Sequence, residues 1–183
     1  MTAPIRRRTR AREIAMQALF QFDLRGLDYA GELDATTTSA GVDAVCRAEL
    51  RRAVEDADSP DPLDQPQRKL NASEREILQF ATKLVGGTLE RRDEIDARLQ
   101  SVTRNWDLRR MAIVDRNILR MAVYELMWCD DVPHKVAINE AIELGKKFST
   151  ANSGGFVNGI LDRIRMDIER SAAEGADDVT STD

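Results

Sequence analysis

Histidine occurs once and cysteine twice in this chain of 183 residues. A catalytic site needs a base, a nucleophile or metal ligands converging in a cleft, and the single His134 stands beside Pro133 in a turn. Cys46 and Cys129 lie far apart with no CxxC spacing, which suggests neither a zinc site nor a disulfide framework and fits a reduced cytoplasmic protein. Cys46 lies on a weakly helical stretch and Cys129 at a helix end, and neither is favoured as a nucleophile. Aromatics are 5% of the residues, and no stretch approaches the roughly 18 apolar residues of a membrane span. The basic start runs into an amphipathic pattern and not into the continuous apolar region of a signal peptide. Paired glycines in LVGGTLE and NSGGF follow no strand and lack the lysine of a phosphate loop, so nucleotide binding has little support. No catalytic residue, metal ligand or cofactor is expected.

What is present points to helices. Hydrophobic residues reach 42% and charged residues 32%, and Ala, Leu, Ile, Val and Met dominate the apolar set. The length suits one globular domain, with room for two sub-bundles. The formal net charge is −5, yet Arg6, Arg7, Arg8, Arg10 and Arg12 contribute +5, so the rest of the chain sums to −10.

In the first helix Ile14, Ala15, Ala18, Leu19 and Phe22 recur at helical spacing, and Gly26 is expected to end it. Residues 34–72 read as a polar loop, a modest helix in VDAVCRAELRRAVEDA, and an exposed loop whose prolines forbid a helix. Ser73 followed by Glu76 predicts a capping box ahead of the stripe Ile77, Phe80, Ala81 and Leu84, with Gly86 and Gly87 closing that helix. Ile95, Leu99 and Val102 mark the next helix, and Asp115 is a candidate N-cap for RNILRMAVYELMW. That segment and HKVAINEAIELGKKF carry only narrow polar stripes and are expected to be central. A last amphipathic helix carries Phe156, Val157, Ile160, Leu161, Ile164 and Ile168, and residues 171–183 are expected to be a disordered acidic tail.

The arginine run asks for an explanation, because cations at a helix N-terminus oppose the helix dipole by roughly 0.3–1 kcal/mol each in the first turn. One reading is a solvated, frayed basic end; the other is polyanion binding, for which the planar guanidinium suits single-stranded RNA. Asn152, Phe156 and Asn158 offer a second element, in which an exposed Phe156 would stack on a base. Phe156 also fits the core stripe with Ile160 and Ile164, and spacing leaves both roles open.

RRRTRAREIAMQALFQFD, DRNILRMAVYELMWCDDVPHKVAINEAIELGKKFS and GGFVNGILDRI, in that order and separation, resemble the NusB family of transcription antitermination factors. The resemblance covers residues 6–27 and about 74–166. It implies an all-α fold of about seven helices in two small packed bundles, a single RNA-binding domain over 1–170 with a proline-rich insertion near 34–72. It further implies a non-enzymatic, cytoplasmic factor, monomer or homodimer, that binds the boxA element of nascent ribosomal RNA together with the ribosomal protein NusE, in an elongation complex with other Nus factors. By that resemblance Arg8, Arg10 and Arg12, with Arg6 and Arg7 beside them, contact RNA, as do Asn152, Phe156 and Asn158, while Asp115 faces NusE. Two departures stand out: the long segment 34–72, and Gly155 where a basic residue often precedes the Phe. The alternatives are a protein-only helical scaffold and the detached RNA-binding module of a ribosomal RNA methyltransferase.

Overall fold

The computed structural model describes residues 3–25, 39–54, 69–103, 107–150 and 152–179. Over these it is all-α, with seven α-helices: α1 (Ala3–Leu24), α2 (Ser39–Val54), α3 (Ala72–Glu90), α4 (Arg92–Val102), α5 (Ile113–Trp128), α6 (His134–Phe148) and α7 (Ser153–Val179), plus a 3-10 turn at Leu108–Arg110. The chain divides into two compact units, one ending at Glu90 and one starting at Arg91.

The first unit holds α1, α2 and α3, each packed on the other two. α1 begins early enough to include Pro4, whose missing N–H costs nothing in a first turn. Its buried face carries Ala11, Ile14, Ala15, Ala18, Leu19 and Phe22, meeting Val42, Cys46 and Leu50 of α2 and Leu78, Ala81, Leu84 and Val85 of α3 in one core. α2 is thus part of the unit's framework, although much of the 34–72 segment, like the proposed stop at Gly26, lies outside the described residues.

Two expectations for α3 are corrected. Its capping box is formed by Asn71 and Glu74: the Glu74 N–H donates to Asn71 Oδ1 at 2.9 Å, and the Asn71 N–H donates to Glu74 Oε2 at 2.8 Å. Ser73 and Glu76 lie inside the helix and stay exposed. Gly86 and Gly87 do not end α3, which runs to Glu90. Each glycine costs a helix interior about 1 kcal/mol, and the burial of Leu84, Val85 and Thr88 around them offsets it.

In the second unit α5 is the central helix, buried continuously from Asp115 to Leu126 and packed on α4, α6 and α7. Asp115 is not its N-cap; Ala112 holds that position without a side-chain cap, and Asp115 falls in the first turn. α6 is less central than its sequence suggests: it buries one face, Ala137, Ile138, Ala141, Leu144 and Gly145, while Val136 is exposed. α7 buries Val157, Ile160, Leu161 and Ile164. The expected disorder from residue 171 is corrected over 171–179, where the helix continues to Val179. Residues 180–183 lie outside the described residues.

Candidate nucleic-acid interface

The arginine run occupies the first three turns of α1, with no acidic residue in the first turn to favour the dipole. Periodicity then sorts its members. Arg12 points inward, is 2% exposed, and sets its guanidinium 5.3 Å from the centre of the Phe80 ring. Arg8, one turn earlier, is exposed and lies over the same ring at 4.8 Å. Phe80 is therefore a platform shared by two cations. Arg7 pairs with Glu76 at 2.8 Å, and Arg10 bonds Glu13 and donates to the Ala53 carbonyl at 3.0 Å, in the last turn of α2. Arg6 is exposed.

The first unit thus brings Arg6, Arg7 and Arg8 to the surface of α1 and uses Arg12 and part of Arg10 as framework. Arg12 is corrected as a direct ligand contact, because its buried guanidinium has no surface left to offer. Glu76 and Phe80, which orient Arg7 and Arg8, read in the sequence as a capping residue and a core residue, not as partners of the arginines. Their spacing of four residues, one face of α3, is the signal that could have paired them with α1.

The second unit holds the other candidates around the α6–α7 connection. Ser153, the first residue of α7 and 3% exposed, centres a hydroxyl cluster. Its Oγ lies 2.9 Å from Thr150 Oγ1, donates to Ser149 Oγ at 3.0 Å, accepts the Thr150 N–H at 3.2 Å and reaches Asp115 Oδ2 at 3.2 Å. Asp115 is buried beneath this loop. Its carboxylate fixes the loop to α5. Asn152 and Asn158 are exposed and Phe156 is half-buried, at the margin of the apolar stripe. Gly154 lets α6 and α7 approach closely, since a Cβ there would sit 3.3 Å from Lys146 Cγ and 3.4 Å from Ile142 Cγ2. At Gly155 a Cβ would meet nothing within 4 Å.

Elsewhere in this unit the charged groups are struts. Arg120 grips Asp96 through two bonds of 2.8 and 2.7 Å, and Arg116 donates to the Leu108 carbonyl at 3.2 Å. His134 lies 3.9 Å from Glu169, on α7. In the first unit, burial pushes the Cys46 thiol up from 9.0 to about 12, so it holds its proton at neutral pH. Among the described residues no three or more His, Cys, Asp or Glu side chains gather as a metal site, and no helix is long and apolar enough to cross a membrane.

The comparisons fit this geometry. The NusB family matches over residues 39–166. A transcription antitermination protein NusB from Symbiobacterium thermophilum is 42% identical over 176 residues, covering 96% of this chain and 99% of its own. Among solved structures, NusB of T. maritima superposes with a TM-score of 0.64 at 31% identity, covering 87% of this chain and 90% of its own. A structure of the antitermination factors NusB and NusE in complex with dsRNA shares the fold, with a TM-score of 0.63 at 24% identity, over 88% of this chain and 97% of the other. With the family's matched span crossing both units and the relative aligning almost end to end, this chain belongs to the NusB family.

Proposed function

We propose that this chain is a cytoplasmic, non-catalytic transcription antitermination factor that binds the boxA element of nascent ribosomal RNA together with NusE. The observation that carries it is the pair of exposed arginines Arg6 and Arg8 with half-buried Arg7 between them on α1, Arg8 and Arg7 being oriented from behind by Phe80 and Glu76. The guanidinium of Arg8 is an exposed planar group held over the Phe80 ring, of the kind that matches phosphate oxygens. Support for the partners comes from relatives: one bears the name of an antitermination protein, and the solved complex holds NusB, NusE and RNA.

In the adaptor mechanism RNA phosphates engage the α1 arginines, with Arg10 contributing donors not spent on Glu13 and Ala53. Asn152, Phe156 and Asn158 meet bases from the loop ahead of α7, and Asp115 serves the NusE side through the loop it positions. NusE holds part of the same RNA, so two modest sites gain apparent affinity from linkage, and the assembly with other Nus factors travels with the polymerase. Homodimerisation would compete by covering the RNA surface.

The test is fluorescence anisotropy of a boxA RNA, with and without NusE, against a scrambled RNA and across salt. Three to five phosphate contacts predict a log-log salt slope of roughly −2 to −3.5 for a single strand. Selective binding that strengthens with NusE and weakens about tenfold or more in the R6A/R7A/R8A triple variant supports the reading. Equal, feeble binding to both RNAs with NusE present removes it and leaves a protein-only scaffold.

A further inference from the structure

A cleft of about 610 Å³ between α2 and α3 plays no part in the mechanism above. Its size lies within the roughly 300–1,000 Å³ of ligand pockets. Arg47 and Arg51 of α2, Lys69, and Arg75 of α3 line it against one carboxylate, Asp43, a local net charge of +3 in a chain of net −5.

Two of these cations are held in place. Arg47 donates to Asp43 Oδ2 from Nε at 3.2 Å and from Nη2 at 2.9 Å, and Arg75 donates to the Leu70 carbonyl at 2.6 Å. Arg51 and Lys69 have no carboxylate partner among the described residues. Arg51 sits one turn from Arg47 on the same face of α2, which places their Cβ atoms about 5–6 Å apart. Helix stability accounts for Arg51, in the last turn of α2. It does not account for Lys69 and Arg75, which flank the N-terminus of α3, where positive charge is disfavoured. Leu70 and Leu78 give the cleft an apolar wall beside the cations.

α3 is the wall between this cleft and the α1 arginines: Glu76 and Phe80 meet α1, and Arg75 and Leu78 line the cleft. A helix with its side chains is about 10–12 Å across, a gap that a few nucleotides of strand bridge at roughly 3.4 Å or more each. Arg10, bonded to the Ala53 carbonyl, joins the α1 run to the end of α2 that carries Arg51.

We propose that this cleft is a second phosphate-binding site, taking a backbone phosphate of the RNA that the α1 arginines engage. The proposal rests on the RNA-binding reading for its ligand, while the cleft's own chemistry is tested separately. The deciding variant is R51A/K69A, whose side chains have no hydrogen-bond or ion-pair partner among the described residues, with a melting temperature lowered by no more than the loss of one cation at the end of α2 as the check on folding. In boxA RNA titrations with NusE across salt, the wild type and R51A/K69A are compared directly. Loss of two contacts lowers the magnitude of the salt slope by about 1.4 and weakens binding about tenfold. An unchanged slope and affinity, with the wild type binding RNA, overturns the proposal. Should the wild type bind no RNA at all, the general reading fails first, and AMP titrated into ¹⁵N-labelled protein decides the cleft. A shift of the Arg47 side-chain signal that vanishes in R51A/K69A would support the cleft as a phosphate site; its absence would end the proposal.

Discussion

Arg8 on α1 and Arg120 on α5 are the same side chain in opposite circumstances. Arg8 is exposed and rests on a ring; Arg120 is buried and spends its guanidinium on both oxygens of Asp96. A count of arginines ranks the two segments by density alone. Burial and partners separate a group available to a ligand from one that holds two helices together, and Arg12 shows that the division runs through the basic run itself.

The contrast breaks most visibly at Arg120. R120A leaves the Asp96 carboxylate, 27% exposed, without its partner, and the expected loss of stability is about 2–3 kcal/mol, below the 3–5 of a fully buried pair. Urea denaturation measures it, and RNA affinity at temperatures where the variant is folded should not change. A loss below 0.5 kcal/mol would place Arg120 with the surface arginines instead.

On the nucleic-acid side, F156A is expected to weaken boxA binding by about 1 kcal/mol, the low end for a stacked base, because the ring is half in the core. F156L should keep stability and lose the same affinity; equal affinity of F156L and wild type would return Phe156 to the core.

The neighbouring glycines sharpen the difference between free and constrained surface. G155A is expected to stabilise the protein by a few tenths to about 1 kcal/mol, since its Cβ meets open space in a helix. G154A should gain less than G155A, because its Cβ presses on Lys146 and Ile142. Thermal melts of the two variants give the order, and G155K would test whether a cation before Phe156 raises RNA affinity.

The smallest effect is alkaline. The Cys46 thiol is raised from 9.0 to about 12 by burial, so the folded state favours its proton. Its contribution to stability is fully present below about pH 9 and is lost as pH climbs toward 12. C46A should flatten that decline in melts taken between pH 8 and 11, and thiol reagents should modify Cys46 slowly in the native protein at pH 8.

The helices and much of the core were legible because periodicity needs only local spacing: Ile14, Ala18 and Phe22, or Ile160 and Ile164, mark their buried faces without any partner in view. The cap of α3 was not. Ser73 with Glu76 and Asn71 with Glu74 satisfy the same spacing rule two residues apart, and the register was chosen by which face of α3 buries Glu74, Leu78 and Ala81. Gly86 and Gly87 read as a stop because their cost is local, while the contacts offsetting it come from other helices. The acidic end from residue 171 showed no apolar stripe, yet α7 continues through it to Val179.

The sequence by itself determined the helical class, the concentration of positive charge at one end and the family, since each is written in composition or in contiguous motifs. Tertiary structure alone decided which arginines stay available. The fate of a guanidinium depends on the carboxylate, ring or carbonyl that packing brings beside it: Glu76 for Arg7, Phe80 for Arg8 and Arg12, Ala53 for Arg10, Asp96 for Arg120. Those partners lie 24 or more residues away along the chain, and no local pattern encodes a meeting at that separation.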